Sequence, residues 1–241
     1  MTVRIAMWSG PRNLSTALMR SFEARGDCTV ADEPLYAHYL VHTGLQHPLR
    51  DAVIASQPTD WRVVAEHLVR DLPTPVAYQK HMAHHLLDRV GRDWLGAVRN
   101  ALLIRHPARV LASYAARREH VEPADLGFLQ QVSLLDELGS RGLPVVVLDS
   151  ADLLRDPPGV LERLCGALGV PFTERMLSWP PGPRGSDGVW ASHWYASVWA
   201  STGFAEPSPD ALPAIPEPLR PVLDALMPAW ERLSSSEHRL K

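Results

Sequence analysis

The chain has little cysteine and no long hydrophobic run. Only two of its 241 residues are cysteines, Cys28 and Cys165, too few for a disulfide framework or a cysteine-based metal site. No apolar stretch reaches the roughly 18 residues that a transmembrane helix needs. The N-terminal apolar run turns polar at Ser9, too early for a secretory signal. These absences predict a cytoplasmic protein, in a reducing compartment, without a membrane partner.

The chain also lacks a large charge excess of either sign. It carries 24 basic and 27 acidic residues, a formal net charge of -3, so no overall positive field attracts nucleic acid. Hydrophobic residues make up 46% of the chain, which is enough for a sizeable core. With this length we expect a single domain over residues 1–241 and no nucleic-acid partner.

Short apolar runs and helical repeats alternate along the first 170 residues. The apolar runs predict strands at 3–8, 28–31, 76–80, 101–105 and 145–148. The helical repeats lie at 14–22, 61–70, 107–115, 124–139 and 161–168. This order predicts an α/β domain with a mainly parallel central sheet flanked by helices. Half of the 22 prolines lie between Pro171 and Pro228, which predicts a loop-rich C-terminal part from about residue 171.

Charged residues follow four of these predicted strands. Arg12, Glu33, Lys80 and Arg105 each come at or just after a strand's carboxyl end. In parallel sheets those ends share one edge, and ligands bind there. We therefore expect the four side chains to converge on one site.

The turn after the first strand reads Ser9-Gly10-Pro11-Arg12-Asn13-Leu14-Ser15-Thr16. A turn that leads into a helix presents free backbone N–H groups and a positive dipole end, which suit an anion. Asn13 is the expected N-cap of that helix, so an ordinary capped helix start is the alternative interpretation. The second glycine and the lysine of a Walker A loop are absent.

A second basic segment runs from Leu103 to Tyr114, and here the chain resembles the sulfotransferase family that uses 3′-phosphoadenosine-5′-phosphosulfate (PAPS). The family's Pro-Arg/Lys-Ser-Gly-Thr-Thr loop is matched by Pro11, Arg12, Ser15 and Thr16. Its Arg-Asp-Pro-x-Asp-x-x-x-Ser segment is matched by Arg105, Pro107 and Ser113, with His106 and Arg109 at the acidic positions.

Two later segments are also similar to that family. Residues 148–157 resemble its Tyr-Glu-Asp-Leu-x-x-x-Pro region, and residues 185–190 resemble its Gly-x-x-Gly-x-Trp loop, preceded by a basic residue. The four matches keep the family's order and span residues 9 to 190. The resemblance implies a P-loop sulfotransferase-like fold with helical insertions between the strands.

The resemblance also assigns roles to particular residues. It places the 5′-phosphosulfate of PAPS at the first loop and the 3′-phosphate at two later segments. The first-loop residues are Arg12, Asn13, Ser15 and Thr16, and the later ones are Arg105, Ser113, Arg184 and Gly185. As alternatives, Ser113 is a helix-packing serine and Arg184 a surface charge.

The same resemblance pairs a lysine with a catalytic base. Lys80 is similar to the family lysine that, with Arg12, steadies the leaving phosphate. Some members use a glutamate after the second strand, which corresponds to Glu33, and others a histidine two residues after the lysine. That position is Met82 here, and histidines flank it at 81, 84 and 85. Glu33 is therefore the favoured base, with the histidines as the alternative.

The sequence thus predicts a sulfotransferase that moves a sulfuryl group from PAPS to a hydroxyl or amine of a small molecule or glycan. This scheme requires no metal. A histidine metal site is also not expected, because three histidines within five residues of a predicted helix cannot all face one ion. Two alternatives stay open. A Walker-B-like run at 145–149, with Thr16 as a magnesium ligand, would indicate a nucleotide kinase or hydrolase. Leu14 and Ala191, which depart from the family pattern, would suit a non-catalytic nucleotide-binding protein.

Overall fold

A computed structural model describes residues 1–116, 120–207 and 210–240. The strands in these ranges are β1 (Val3–Ser9), β2 (Cys28–Asp32), β3 (Val76–Met82), β4 (Arg99–Ile104) and β5 (Val145–Asp149). The helices up to β4 are α1 (Ser15–Glu23), α2 (Tyr36–Thr43), α3 (Arg50–Ser56) and α4 (Trp61–Val69). Those after it are α5 (Pro107–Ala115), α6 (Phe128–Ser140), α7 (Ser150–Arg155), α8 (Pro157–Leu168), α9 (Ala191–Trp194), α10 (Ala196–Trp199) and α11 (Arg220–Ser234).

The strands form one parallel sheet in the order β2-β3-β1-β4-β5. In the register, Lys80 of β3 stands between Asp32 of β2 and Met7 of β1. The predicted single α/β domain with a parallel central sheet is confirmed. All carboxyl ends lie at one edge, as parallel pairing requires.

Helices cover both faces of the sheet, because side chains on each strand alternate between the faces. On β1, Ile5 and Met7 pack with residues of α1 and α8, and Ala6 and Trp8 pack with residues of α4, α5, α6 and α11. All four β1 side chains are fully buried. The fold is a three-layer α/β/α sandwich whose carboxyl edge stays open for a site. No helix in the described ranges is long and apolar enough to cross a membrane.

The C-terminal part differs from the predicted loop-rich segment. Between residues 171 and 219 the described chain does consist of loops and short helical turns, but α11 then runs for 15 residues with Leu226 and Leu233 buried against the core. The high proline content misled the prediction because two of these prolines lie in α11. Pro221 occupies the first turn, where a missing N–H costs nothing, and Pro228 is tolerated inside the helix.

Candidate functional site

The turn between β1 and α1 is backbone-strained at two positions. Arg12 and Leu14 have φ angles of 62° and 65°, a left-handed conformation that non-glycine residues seldom adopt. The prediction that Asn13 caps α1 was wrong: Leu14 holds the N-cap position, without a side-chain cap. The Asn13 amide instead donates a hydrogen bond to the Leu103 carbonyl oxygen at 3.2 Å, which fixes the turn to the end of β4.

Close packing holds this turn in place from a second direction. A Cβ atom at Gly10 would overlap the carbonyl oxygen of Leu126, so only glycine fits where the chain before α6 crosses the turn. The first N–H groups of a helix have no acceptor within the helix. At α1 they belong to Ser15, Thr16 and Ala17, all three of which line the cavity described below.

Arg12 and Arg105 are joined directly, although 93 residues separate them. The Arg105 guanidinium donates to the Arg12 carbonyl oxygen at 2.8 Å, and Arg12 Nε donates to Ser113 Oγ at 2.9 Å. Arg105 follows β4, and Ser113 lies on α5, one helix further along the chain. The two basic segments singled out in the sequence therefore form one cluster.

This cluster concentrates positive charge at the sheet edge. Burial, and then the positive charges of Arg109 and Arg12, lower the pKa of Arg105. His106, which stands at an acidic position of the family pattern, accepts a hydrogen bond from Ala108 N at 3.2 Å and so caps α5. An anion placed among these arginines would relieve their mutual repulsion.

A second cluster surrounds the ammonium group of Lys80. Its Nζ donates to Asp32 Oδ1 at 2.8 Å, to Glu33 Oε1 at 2.5 Å and to Tyr195 Oη at 2.7 Å. An ammonium group has three N–H donors, and all three are used. The Lys80 and Asp32 side chains are 1% exposed and that of Glu33 is 10% exposed. Glu33 has a φ of 44°, a third strained residue at this edge.

Two carboxylates share this single cation, and burial together with the neighbouring charges shifts the pKa values of Glu33 and Lys80. Burial raises the pKa of Glu33; Lys80 opposes the rise and the negative charge of Asp32 adds to it. Burial by itself would lower the pKa of Lys80, but Asp32 and Glu33 outweigh it and raise the value well above that of a free lysine. Lys80 therefore stays protonated, and Glu33 is a stronger base than a free carboxylate.

Aromatic rings form a wall near Glu33. Tyr36 and Tyr39 both stack on the His85 ring, with ring centroids 4.5 and 4.6 Å away. Trp190 meets Tyr36 edge-on at 5.1 Å. These side chains belong to the cluster that packs α2 and α3 against the segment around residues 190–195. His85 Nδ1 lies 3.9 Å from Glu33 Oε2, so the rigid wall extends to the carboxylate.

One cavity of about 230 Å³ connects the three groups. Its lining includes the strained turn, Arg105 with Ser113, and Glu33 with Lys80. From the aromatic wall it includes Tyr36, His85 and Trp190. An anion-binding end and a carboxylate base thus open onto a shared space with apolar sides, as an enzyme site for a small molecule requires.

A family model described as "Sulfotransferase domain" matches residues 3–236. This chain belongs to the sulfotransferase domain family. It is similar to the sulfotransferase domain of the Synechococcus PCC 7002 olefin synthase, with 18% identity, 96% coverage of both chains and a TM-score of 0.52. It is also similar to a sulfotransferase from Alicyclobacillus acidocaldarius, with 15% identity, coverage of 99% of this chain and 97% of the other, and a TM-score of 0.55.

A more similar sequence has a name of another kind. The sulfotransferase chain is 39% identical over 207 residues to "Branched-chain-amino-acid aminotransferase-like protein 1" of Arabidopsis thaliana. The match covers 84% of this chain but 37% of the plant protein. The chain therefore corresponds to just over a third of that relative.

The cavity of this sulfotransferase chain brings together most of the residues predicted from sequence. Those lining the cavity are Arg12, Asn13, Ser15, Thr16, Glu33, Lys80, Arg105 and Ser113. Arg184 and Gly185 are not among the lining residues. The Arg184 guanidinium donates to the Pro180 carbonyl oxygen and lies 3.8 Å from Glu23. Their predicted contact with the 3′-phosphate remains a prediction.

Two members of the Lys80 cluster were missed by the sequence analysis. Asp32 could have been predicted as a site residue, because it lies at the carboxyl end of β2, next to Lys80 on the neighbouring strand. Tyr195 could not, because its contact with Asp32 joins residues 163 positions apart in the chain.

The histidines near Lys80 do not lie on the predicted helix. His81 is part of β3, and His84 and His85 form a single 3-10 turn with Ala83. His81 stacks on Trp8 at 4.1 Å, in the core. Within the described ranges, no group of three or more histidine, cysteine, aspartate or glutamate side chains is arranged to hold a metal ion.

The Walker-B-like aspartate is engaged elsewhere. Asp149 accepts a hydrogen bond from Ala151 N at 2.8 Å, which caps α7, and it pairs with Arg239 at 3.4 Å. It is not among the residues that line the cavity with Thr16. This geometry disfavours the magnesium-dependent kinase or hydrolase interpretation.

We expect the buried histidines to make the protein sensitive to mild acid. Burial lowers the pKa of His81 and of His84 to about 3, and it lowers that of His85 well below 6.5. The unfolded chain takes up these protons near pH 6.5, whereas the folded state does not. Stability is therefore full above pH 6.5 and falls as the pH drops toward 3, by about 1.4 kcal/mol per pH unit for each histidine.

Urea unfolding at pH 7.5 and 5.5 measures this slope. His81→Phe, which keeps a ring against Trp8, should lose less stability between the two pH values than the wild type. The exposed His193 serves as the control, and His193→Gln should leave the slope unchanged. An identical slope in His81→Phe and the wild type would contradict the assignment.

Proposed function

We propose that this domain transfers a sulfuryl group from PAPS to a hydroxyl or amine of a small-molecule or glycan acceptor. The observation that carries the proposal is the hydrogen bond from Arg105 to the Arg12 carbonyl oxygen. This bond joins the two basic segments in the lining of a cavity that Glu33 and Lys80 also line. A nucleotide with one anionic group at its 5′ position and another at its 3′ position could bind both segments. The family and the fold support sulfuryl transfer, and the donor and the roles below are our inference.

The donor set has the right chemistry for PAPS. Guanidinium groups, hydroxyls and free N–H groups at a helix start all bind phosphate and sulfate oxygens. We assign Arg12, Asn13, Ser15 and Thr16 to the 5′-phosphosulfate, and Arg105 with Ser113 to the 3′-phosphate. Bound PAPS supplies the sulfuryl group: the acceptor oxygen or nitrogen bonds to sulfur as the bond from sulfur to the phosphate oxygen breaks.

The chain's own contribution is charge neutralisation and proton transfer. We assign Arg12 to the negative charge that grows on the departing phosphate, with Lys80 as a second cation lining the same cavity. Glu33 lines the cavity, and its raised pKa makes it the base that accepts the acceptor's proton. The histidines are less suited to that role, because burial lowers their pKa values and leaves weak bases.

The aromatic wall supports a small acceptor. Tyr36, His47 and Trp194 line the cavity beside Glu33, and rings of this kind combine apolar contact with hydrogen bonding. The cytoplasm, as a reducing compartment, remains the expected location.

Thermal shift with 3′,5′-adenosine bisphosphate tests the donor. At about 100 times its dissociation constant the ligand adds roughly 2.7 kcal/mol, which raises the melting temperature by roughly 5–10 °C. Arg105→Ala should abolish this shift. Arg99→Ala is the matched control, because Arg99 lies exposed at the opposite end of the same strand, and it should keep the shift.

Two outcomes would contradict the proposal. A shift with ATP and magnesium but none with the bisphosphate would reject PAPS as the donor. A full bisphosphate shift in Arg105→Ala would reject the placement of the 3′-phosphate. Screening acceptors with labelled PAPS then identifies the second substrate.

A further inference from the structure

Asp32 is the buried carboxylate of the Lys80 cluster that the proposed mechanism does not use. Its side chain is 1% exposed, and it is not among the cavity-lining residues, whereas Glu33 is. It therefore cannot receive a proton from a molecule in the cavity. A charged group in this position, one residue before the proposed base, calls for another role.

Hydrogen bonds from three different elements hold Asp32 in place. Lys80 Nζ donates to Oδ1 at 2.8 Å, the Tyr195 hydroxyl donates to the carboxylate at 2.8–2.9 Å, and Gly188 N donates to Oδ2 at 3.1 Å. Trp190 Nε1 donates in turn to Tyr195 Oη at 3.2 Å. Three donors around two oxygens stabilise a charged carboxylate.

The cluster therefore contains two carboxylates and one ammonium group. The ammonium lies 2.5 Å from Glu33 Oε1 and 2.8 Å from Asp32 Oδ1, so neither carboxylate has it alone. If Asp32 were neutral, the whole positive charge would face Glu33 in a buried setting, and Glu33 would bind a proton only weakly.

We propose that Asp32 is a positioning residue for Glu33: it holds the Lys80 ammonium between the two carboxylates and thereby leaves Glu33 the basicity that a general base needs. Tyr195 and the Gly188 amide fix Asp32 for this purpose. The inference rests on the proposed function, in which Glu33 accepts the proton. It gives the 188–195 segment a function, because Gly188 and Tyr195 hold the Asp32 carboxylate beside the Lys80 ammonium.

The titratable and charged groups that face Glu33 are few and come from separate elements. They are Asp32 of β2, Lys80 of β3, His85 of the 3-10 turn and Tyr195 after α9. Burial lowers the pKa of His85, so His85 is neutral near pH 7 and adds no charge. Asp32 is the one negative charge in this set besides Glu33 itself.

The test is Asp32→Asn, which removes the charge and keeps the shape. Glu33 should then ionise at lower pH, so the acidic limb of kcat/KM for the acceptor should move down by roughly one pH unit. The rate at the plateau should fall, because a weaker base is a poorer proton acceptor. Binding of 3′,5′-adenosine bisphosphate should not change.

Asp187→Asn is the matched control. Asp187 is a second carboxylate near the same segment, with a side chain 5% exposed, but it pairs with Arg20 at 2.5 Å and is not among the groups that shift the pKa of Glu33. Its variant should leave the acidic limb where it is in the wild type. An unmoved limb in Asp32→Asn, or one that moves to higher pH, would overturn the proposal.

A direct titration of Glu33 separates this inference from the proposed function. Carbon-13 NMR of protein labelled at the glutamate carboxyl carbon, with Glu33→Gln to assign the signal, needs no turnover. In the wild type, Glu33 should titrate above its ordinary value of 4.5. A Glu33 that titrates at or below 4.5 in the wild type would overturn the role of Asp32. This result would not depend on whether the protein transfers a sulfuryl group. It would also not depend on whether the Asp32→Asn variant folds.

Discussion

Glu33→Gln is expected to lower turnover by roughly 10²–10⁴-fold, the usual contribution of a general base. The amide cannot accept a proton from the acceptor, but it keeps an oxygen that can accept the Lys80 hydrogen bond of 2.5 Å. Asp32 still neutralises Lys80, so the fold should not be destabilised. Initial rates with labelled PAPS measure turnover. The thermal shift produced by 3′,5′-adenosine bisphosphate checks that the variant is folded and still binds the donor product.

Glu137→Gln provides the control for that experiment. Glu137 pairs with Arg92 at 3.1 Å and is not among the cavity-lining residues, so its variant should turn over normally. Unchanged turnover in Glu33→Gln would remove this residue as the base and return attention to the neighbouring histidines. Loss of bisphosphate binding would indicate that Glu33 shapes the donor site instead.

Lys80→Met is expected to have the largest effect on stability, a loss of about 3–5 kcal/mol. It leaves the Asp32 and Glu33 carboxylates buried with no ammonium between them, and one of them must then bind a proton or draw in water. Chemical denaturation at pH 7.5 measures the loss. Because the loss of stability comes from two buried carboxylates without a cation between them, the double variant Lys80→Met/Glu33→Gln should be more stable than Lys80→Met alone.

An exposed ion pair supplies the comparison. Arg232 pairs with Asp136 at 2.8 Å, and the two side chains are 58% and 54% exposed, so Arg232→Met should cost about 0–1 kcal/mol. If Lys80→Met cost no more than Arg232→Met, the Lys80 cluster would not be the buried charge centre described above.

Strands β4 and β5 were predictable from the sequence because they are largely buried on both faces. The apolar run at residues 101–105 corresponds to Arg99–Ile104, and that at 145–148 to Val145–Asp149. Parallel strands covered by helices leave continuous apolar runs. The carboxyl ends of parallel strands lie at one edge of the sheet, so the approximate positions of Glu33 and Lys80 at that edge could also be predicted.

The details of the site depend on contacts between distant parts of the chain. Asn13 is a good cap by residue type, but the Leu103 carbonyl oxygen, 90 residues away, takes its side chain. Helices α2 and α3 are only 8 and 7 residues long, too short for a clear helical period, and they are stabilised by packing on Trp190 and Tyr195. Local sequence patterns do not contain such contacts.

The three hydrogen bonds of the Lys80 ammonium group have a consequence for imine chemistry. A lysine forms a Schiff base with a carbonyl compound or with pyridoxal phosphate only as a neutral nucleophile with a free lone pair. Lys80 is held protonated with all three N–H groups engaged, and the chain's other lysine, Lys241, lies outside the described residues. The buried Lys80 amine of this sulfotransferase domain therefore offers no nucleophile for imine formation.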